Sequence, residues 1–214
     1  VWYERLLAAV SSWAEDFQTL ARQLKTAEGA EFSKKAVLDL LTRDPVAFYE
    51  RVDEEGLLVQ LFPELEDMKG LEQDGSKHAE GDVDRHNRLI VQNLSKLIER
   101  PSPALILAAM FHDVEKRSTK GRDPKTGSIA FHGHAKEGVK TFQSLTRKWD
   151  IPDEAADEAS WLIGHHVDLF LPHAKLQEYV AGDNKLITKL FVDSPPEWGS
   201  DLLHLMHADA LSSW

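Results

Sequence analysis

Apolar residues return every three or four positions along nearly the whole chain, the period of an amphipathic helix. Residues 2–27 carry Leu6, Leu7, Val10, Trp13, Phe17, Leu20 and Leu24 at such steps. Ser33 supplies a cap for a second helix through Leu41, and Asp44-Pro45 opens a third with proline at the tolerated first position. Residues 55–71, EGLLVQLFPELEDMKGL, read as short helices broken at Pro63. The polar, glycine-containing stretch 72–81 is the best internal boundary. It separates an N-terminal helical extension, 1–71, from a larger domain, 72–214. Beyond it the pattern predicts helices over about 82–99, 103–117, 134–149, 153–169, 183–193 and 200–212, punctuated by prolines such as Pro103, Pro152 and Pro195-Pro196. KGRDPKTGSIAFHG, at 120–133, reads as a loop or small hairpin. The fold class is all-α: a helical bundle with an N-terminal helical extension.

Several polar residues stand where this pattern calls for apolar ones. The run Ala104 to Met110 is wholly apolar, and FHDVEK closes it. An ionised carboxylate taken into a core without a partner costs several kcal/mol or more, so the His112-Asp113 pair needs something to meet it. His86 lies three residues after Val83 and four before Ile90, on a stripe continued by Leu94 and Leu97. Asp209 is three after Met206, four after Leu205 and seven after Leu202, again on an apolar stripe. His165 and His166 follow Trp161-Leu162-Ile163, and His134 opens a helix after Phe131-His132-Gly133. Taken singly, each histidine has a structural reading as a hydrogen-bonded core residue, and His132, His173 and His204 fall in that class or on the surface. Five helices delivering His or Asp to buried faces point instead to a divalent cation. The chain has no cysteine, so the ligands are N and O donors. That set suits manganese, iron, cobalt, nickel or magnesium, and admits zinc. A purely structural ion is the competing reading; the spread of the donors over more than 120 residues speaks against it.

Composition changes this picture little. The chain has 214 residues, 42% hydrophobic and 29% charged, ordinary for a globular protein. No run is long and apolar enough to span a membrane. The lack of cysteine removes disulfides and thiol nucleophiles and fits a reducing cytoplasm, the expected location. Val1 at the start, and a helical pattern still running at Trp214, point to a trimmed chain or a piece of something longer. Charge is more informative. The formal net charge is −11, yet nine basic residues between Lys116 and Lys148 face only Asp123 and Glu137. A basic island beginning beside His112-Asp113 suits a phosphate-bearing substrate; the alternative is a solvated helix face and a charged loop. All ten histidines lie between His78 and His207, so the chemistry belongs to the second part of the chain. Trp2, Trp13 and Phe17 on the first helix read as core packing, or as an interface.

The order His86, His112-Asp113, Asp209 resembles the HD superfamily of metal-dependent phosphohydrolases, all-helical proteins named for that doublet. LFPELEDMKGLEQ, HAEGDVDRHNRL, LAAMFHDVEK, FHGHAKEGV and WLIGHHVDL, continued by NKLITKLFVDS, look like the HD domain of bacterial tRNA nucleotidyltransferases and poly(A) polymerase relatives. The likeness covers about residues 55–211. It implies that His86, His112, Asp113 and Asp209 hold a first metal, with His134 and one or both of His165 and His166 holding or assisting a second. Two departures stand out. The doublet usually continues with an aliphatic residue, Gly and Lys; here Glu115 replaces the glycine, while Lys116 is kept. The nucleotidyltransferase head is also missing: Gly75-Ser76 and Asp82-Val83-Asp84 run straight into the His86 helix, so the chain is not expected to add nucleotides to tRNA.

The resemblance implies a phosphodiesterase or phosphatase acting on nucleotides or RNA ends, such as 2′,3′-cyclic phosphates, through water activated by one or two divalent ions. Asp113 would be the bridging ligand. Lys116, with Lys120 or Arg122, would hold phosphate oxygens, and His132 is a candidate acid for the leaving oxygen. Glu115 is either an added acid/base or a solvated residue. The alternatives are a non-catalytic HD module binding tRNA or a partner protein, and a different HD enzyme such as a nuclease or deoxynucleotide hydrolase. A homodimer, or a separate chain carrying the catalytic head, is compatible with either outcome.

Overall fold

The computed structural model describes residues 2–26, 34–75, 78–168, 188 and 190–213. Ten helices and one small hairpin appear among them: α1 (Trp2–Thr26), α2 (Lys34–Arg43), α3 (Pro45–Glu54), α4 (Leu58–Leu61), α5 (Pro63–Glu66), α6 (Val83–Leu97), α7 (Pro103–Phe111), β1 (Lys120–Arg122), β2 (Ile129–Phe131), α8 (His134–Trp149), α9 (Asp153–His165) and α10 (Pro196–Ser212). The all-α bundle read from the periodicity is what the chain forms. The Ser33 cap, Ser76, Pro172, His173, Trp214 and most of the 183–193 helix lie outside the described residues.

Local chemistry explains most boundaries. Asp44 caps α3 by accepting from Ala47 N at 2.9 Å, with Pro45 at the first helical position. Asp82 does the same for α6 through Arg85 N at 2.8 Å, and its other oxygen accepts from Gly70 N at 3.1 Å. Asp84 is equally committed: it accepts from Tyr49 Oη at 3.0 Å and from Arg88 Nε at 2.8 Å. The Asp82-Val83-Asp84 sequence thus has structural employment. Ser102 caps α7 through Leu105 N at 3.0 Å and donates to Asp201 on α10 at 2.8 Å.

α7 is the central rod. Every residue from Ala104 to Phe111 is buried, because α6, α9 and α10 pack around it. α6 lies along α10, and α8 along α9. One hydrophobic core runs from Phe17 on α1 to Ala208 on α10. Phe62 joins α4 and α5 to it, meeting Phe111 and Trp149 at ring centroid distances of 5.6 and 4.9 Å. The first helix packs inward: Phe17 is buried and stacks on Trp13, whose Nε1 donates to Leu40 O at 3.0 Å.

Three expectations need correction. α7 ends at Phe111 rather than 117, because Val114 N and Lys116 N bond back three residues, to Phe111 O and Asp113 O, and the chain tightens into turns. Val10 is 60% exposed although its spacing places it on the buried stripe, since among the described side chains the core reaches α1 only from Trp13 onward. Leu97 is 40% exposed at the last residue of α6, where the helix leaves the core. Among the described residues no helix is long and apolar enough to cross a membrane.

Candidate metal centre

The early end of α7 has a chemical consequence. His112 is its C-cap and Asp113 lies in the following turn, so the doublet leaves the rod at one end of the bundle, with both side chains buried. The other elements bring their polar residues to the same place. Gly133 takes a left-handed φ of 83°, turning the hairpin directly into α8 so that His134 is the first helical residue. His166 follows the last residue of α9, and His86 and Asp209 come from the packed pair α6 and α10.

Hydrogen bonds fix which ring nitrogen is free. His112 Nδ1 lies 3.1 Å from Ala109 O, His134 Nδ1 2.7 Å from Phe131 O, and His166 Nδ1 2.7 Å from Ile163 O. A carbonyl accepts only, so each Nδ1 carries a proton, and in the ligand form of each ring the Nε2 lone pair is turned the other way. All three point at Asp113. His112 Nε2 is 3.2 Å from Asp113 Oδ2; His134 Nε2 and His166 Nε2 are 3.3 and 3.7 Å from Oδ1. His134 Nε2 and His166 Nε2 are 3.0 Å apart. Lone pairs facing lone pairs repel unless a proton or a cation lies between them. Buried His112 Nε2 has no hydrogen-bond partner, the orphan that an ion would satisfy.

Two cation-sized groups of donors share Asp113. His86, His112 and Asp113 form one, and Asp113, His134 and His166 the other, with the donor atoms of each group within 4.8 Å of one another. Asp209 Oδ1 lies 3.1 Å from His86 Nε2, at the edge of the first group. The residues present therefore fit a divalent ion in donor chemistry, and the carboxylate common to both groups is Asp113.

Electrostatics runs the same way. Burial alone would raise the Asp113 carboxyl, but the nearness of His112 and Lys116 outweighs it and holds the group well below the usual carboxylate range. Burial lowers His166, favouring the neutral ring a metal needs. Burial also works against a charged His86, yet the carboxylates of Asp209 and Glu80 on its two sides overcome it and raise the ring to about 9. Burial raises Asp209 and His86 more than reverses this, leaving it lowered.

The remaining candidates divide. Lys116 is buried and turned inward, with Nζ 2.6 Å from Asp113 Oδ2 and 2.6 Å from Gln73 Oε1. Of the histidine pair, only His166 joins Asp113; His165 bonds Asp168 Oδ2 at 2.6 Å and stacks on Trp161. Lys120 and His132 are exposed on the hairpin strand and just beyond it, and Arg122 donates to Gly127 O at 2.8 Å across the hairpin turn. All three lie on or beside the exposed hairpin, outside the buried cluster. Glu115 points away from it. Its carboxylate accepts from Ser118, in a short contact, and from Thr141 on α8 at 2.5 Å. It ties the turn to α8, a role that glycine could not fill.

Sequence reasoning missed Gln73, His78 and Glu80. All three lie in the stretch read as a boundary, yet Gln73 and Glu80 are buried. Glu80 Oε1 is 2.6 Å from His86 Nδ1. Loops carry no burial period, so the only available signal was two donors, His78 and Glu80, immediately upstream of His86.

No protein-family model matches the chain. Over 158 residues it is 34% identical to the A-adding tRNA nucleotidyltransferase of Deinococcus radiodurans, covering 72% of this chain and 32% of that protein. The chain is a relative of the tRNA nucleotidyltransferases. The CC-adding tRNA nucleotidyltransferase of Thermus thermophilus is 31% identical over 184 residues, covering 84% of this chain and 39% of that protein. The chain thus spans well under half the length of these relatives.

Proposed function

We propose that this chain is a metal-dependent phosphohydrolase, a phosphodiesterase or phosphatase of the HD type, acting on nucleotides or RNA ends such as 2′,3′-cyclic phosphates. One observation carries the reading: three bare imidazole Nε2 atoms converge on the buried Asp113 carboxylate. The catalytic unit is 72–214, and 1–71 is a helical extension packed against it. His86, His112, Asp113 and Asp209 would hold a first ion, and His134 and His166 a second through the shared Asp113. When bound there, a divalent cation neutralises phosphoryl charge and acidifies a neighbouring water. The chain's own residues do the rest. The carbonyls of Ala109, Phe131 and Ile163 keep the three rings in the ligand tautomer. Lys116 neutralises Asp113, and Lys120 and Arg122 on the exposed hairpin receive phosphate oxygens. His132, just past the hairpin, would be the acid that protonates a leaving oxygen. The names of the relatives, which refer to tRNA, support an RNA end as substrate, and the cytoplasm is the compartment we propose.

Metal-stripped protein, re-supplied in turn with Ni²⁺, Mn²⁺, Co²⁺ or Mg²⁺ and given 2′,3′-cAMP, 2′-AMP and bis-p-nitrophenyl phosphate, tests this. Turnover that requires metal and disappears in the His112→Ala/Asp113→Ala variant is expected. Folded, metal-loaded protein that hydrolyses none of the three would contradict it. The second reading, a non-catalytic module that binds tRNA, is favoured by the relatives' names and by the deep burial of His112 and Asp113. It predicts tRNA binding that the same double variant leaves unchanged.

A further inference from the structure

His86 presents both of its ring nitrogens to carboxylates. Asp209 Oδ1 stands 3.1 Å from Nε2, and Glu80 Oε1 stands 2.6 Å from Nδ1. A charged imidazole gives a proton to each, but a ring that ligates a cation keeps a single proton, so the ion must take one side and a carboxylate the other. The two sides are not alike. The Nε2 side carries Asp209, and His86 also groups with His112 and Asp113. The Nδ1 side meets a carboxylate from the loop ahead of α6, only 2% exposed, at ion-pair distance but off line for a hydrogen bond.

That loop is built to place Glu80. An antiparallel bridge between Glu72 and Asp82 closes its base. Gly81 adopts a φ of 108°, which swings the chain from Glu80 into the Asp82 cap. His78 Nδ1 bonds the same Glu80 oxygen at 2.9 Å, and its ring meets His86 edge-on at 5.0 Å. The loop thus lays a histidine and a carboxylate behind the His86 ring, on the side away from Asp209.

We propose that Glu80 is a positioning residue for the metal centre: its carboxylate keeps the His86 proton on Nδ1, so that the Nε2 lone pair is presented to a divalent cation together with Asp209, His112 and Asp113. This inference rests on the metal-centre reading above. Carboxylate–histidine–metal relays of this form set the tautomer and raise the basicity of the ligating nitrogen. A rival arrangement exists, because His78, Glu80 and His86 are themselves close enough to hold an ion. An ion there would take the Nδ1 lone pair, put the proton on Nε2 and withdraw His86 from Asp209 and His112. One ring cannot serve both places without losing both protons. The tautomer of His86 therefore decides between them.

The test uses the full chain labelled with ¹⁵N-histidine and loaded with Zn²⁺, a diamagnetic probe. Long-range ¹H–¹⁵N spectra report which nitrogen of His86 carries the proton, and competition with a chelating dye gives the Zn²⁺ affinity of wild type and Glu80→Gln. A proton on Nδ1 is expected, with Zn²⁺ affinity about 10- to 100-fold weaker in Glu80→Gln and an unchanged circular dichroism spectrum. A proton on Nε2, or equal affinity in the two proteins, overturns the inference and leaves the metal centre standing. Wild type that binds no Zn²⁺, Mn²⁺ or Ni²⁺ overturns both together. If Glu80→Gln does not fold, the wild-type tautomer still decides.

Discussion

The two ends of the same three helices handle buried carboxylates in opposite ways. At one end, where α7 and α9 finish and α8 begins, Asp113 is ringed by His112, His134, His166 and Lys116 and stays ionised. At the other end, where α7 and α9 begin and α8 finishes, a cavity of about 800 Å³ opens between α2 and these helices, with Leu38, Ala104, Leu107 and Ile151 on its walls. Glu158, on that wall, has carboxylates for neighbours. Its own burial, then Asp201, Glu197 and Glu154, push it up to about 7. One acid is stabilised by positive partners and the other by keeping its proton. The difference lies in the company each keeps rather than in depth, since both are largely buried.

Four changes test this contrast. The largest effect belongs to Asp113→Ala. It removes the carboxylate shared by both donor groups and strands Lys116 in the interior. We expect hydrolysis to vanish and metal-free stability to fall by about 3 kcal/mol, the cost of leaving one partner of a buried pair, read by urea unfolding. Retained activity would remove Asp113 from the centre.

Next is the pH dependence of the metal-free protein. His86 sits at about 9 when folded and near the ordinary histidine value when unfolded. Its contribution to stability is therefore complete below about 6.5 and is lost as pH rises through about 9. A His86→Ala variant should lose that alkaline slope, and its presence in the variant would assign the slope elsewhere. Tyr49→Phe is smaller. It deletes the hydroxyl that donates to Asp84 between α3 and α6, and should cost about 1 kcal/mol while leaving metal affinity untouched. The smallest effect is expected at Glu158. Its folded value lies above the unfolded one, so the folded state holds the extra proton between about 4.5 and 7 and stability falls as pH rises across that window. Glu158→Gln should flatten this fall, leaving the variant relatively more stable above pH 7. A steeper fall would mean that Glu158 is ionised and paired.

Much of this arrangement was legible in the sequence because helices translate spacing into faces. The three-and-four spacing placed His86 and Asp209 on buried stripes, and both are buried. The apolar run ahead of His112 marked the central rod for the same reason. Periodicity fails where the chain is not helical. Nothing in the spacing showed that α7 ends at Phe111, that Lys116 turns inward onto Asp113, or that His166 rather than His165 faces it. Each depends on turns of a few residues, where one hydrogen bond redirects a side chain. Glu80 and Gln73 were hidden for a related reason: polar composition in a loop reads as exposure, whereas these two are covered by the elements they serve. Glu115, read as an added acid/base or a solvated residue, proves to be a tether to Thr141. Only the position of α8 could reveal that.

The proposed metal centre depends on Asp113, around which a cation would be held. Elemental analysis of bound metal per chain tests it most directly, after equilibration of wild type and Asp113→Ala with Mn²⁺ or Ni²⁺ and removal of free ion. The prediction is at least one equivalent in wild type and none in folded Asp113→Ala. Equal metal content in the two proteins, or none in wild type, would contradict it.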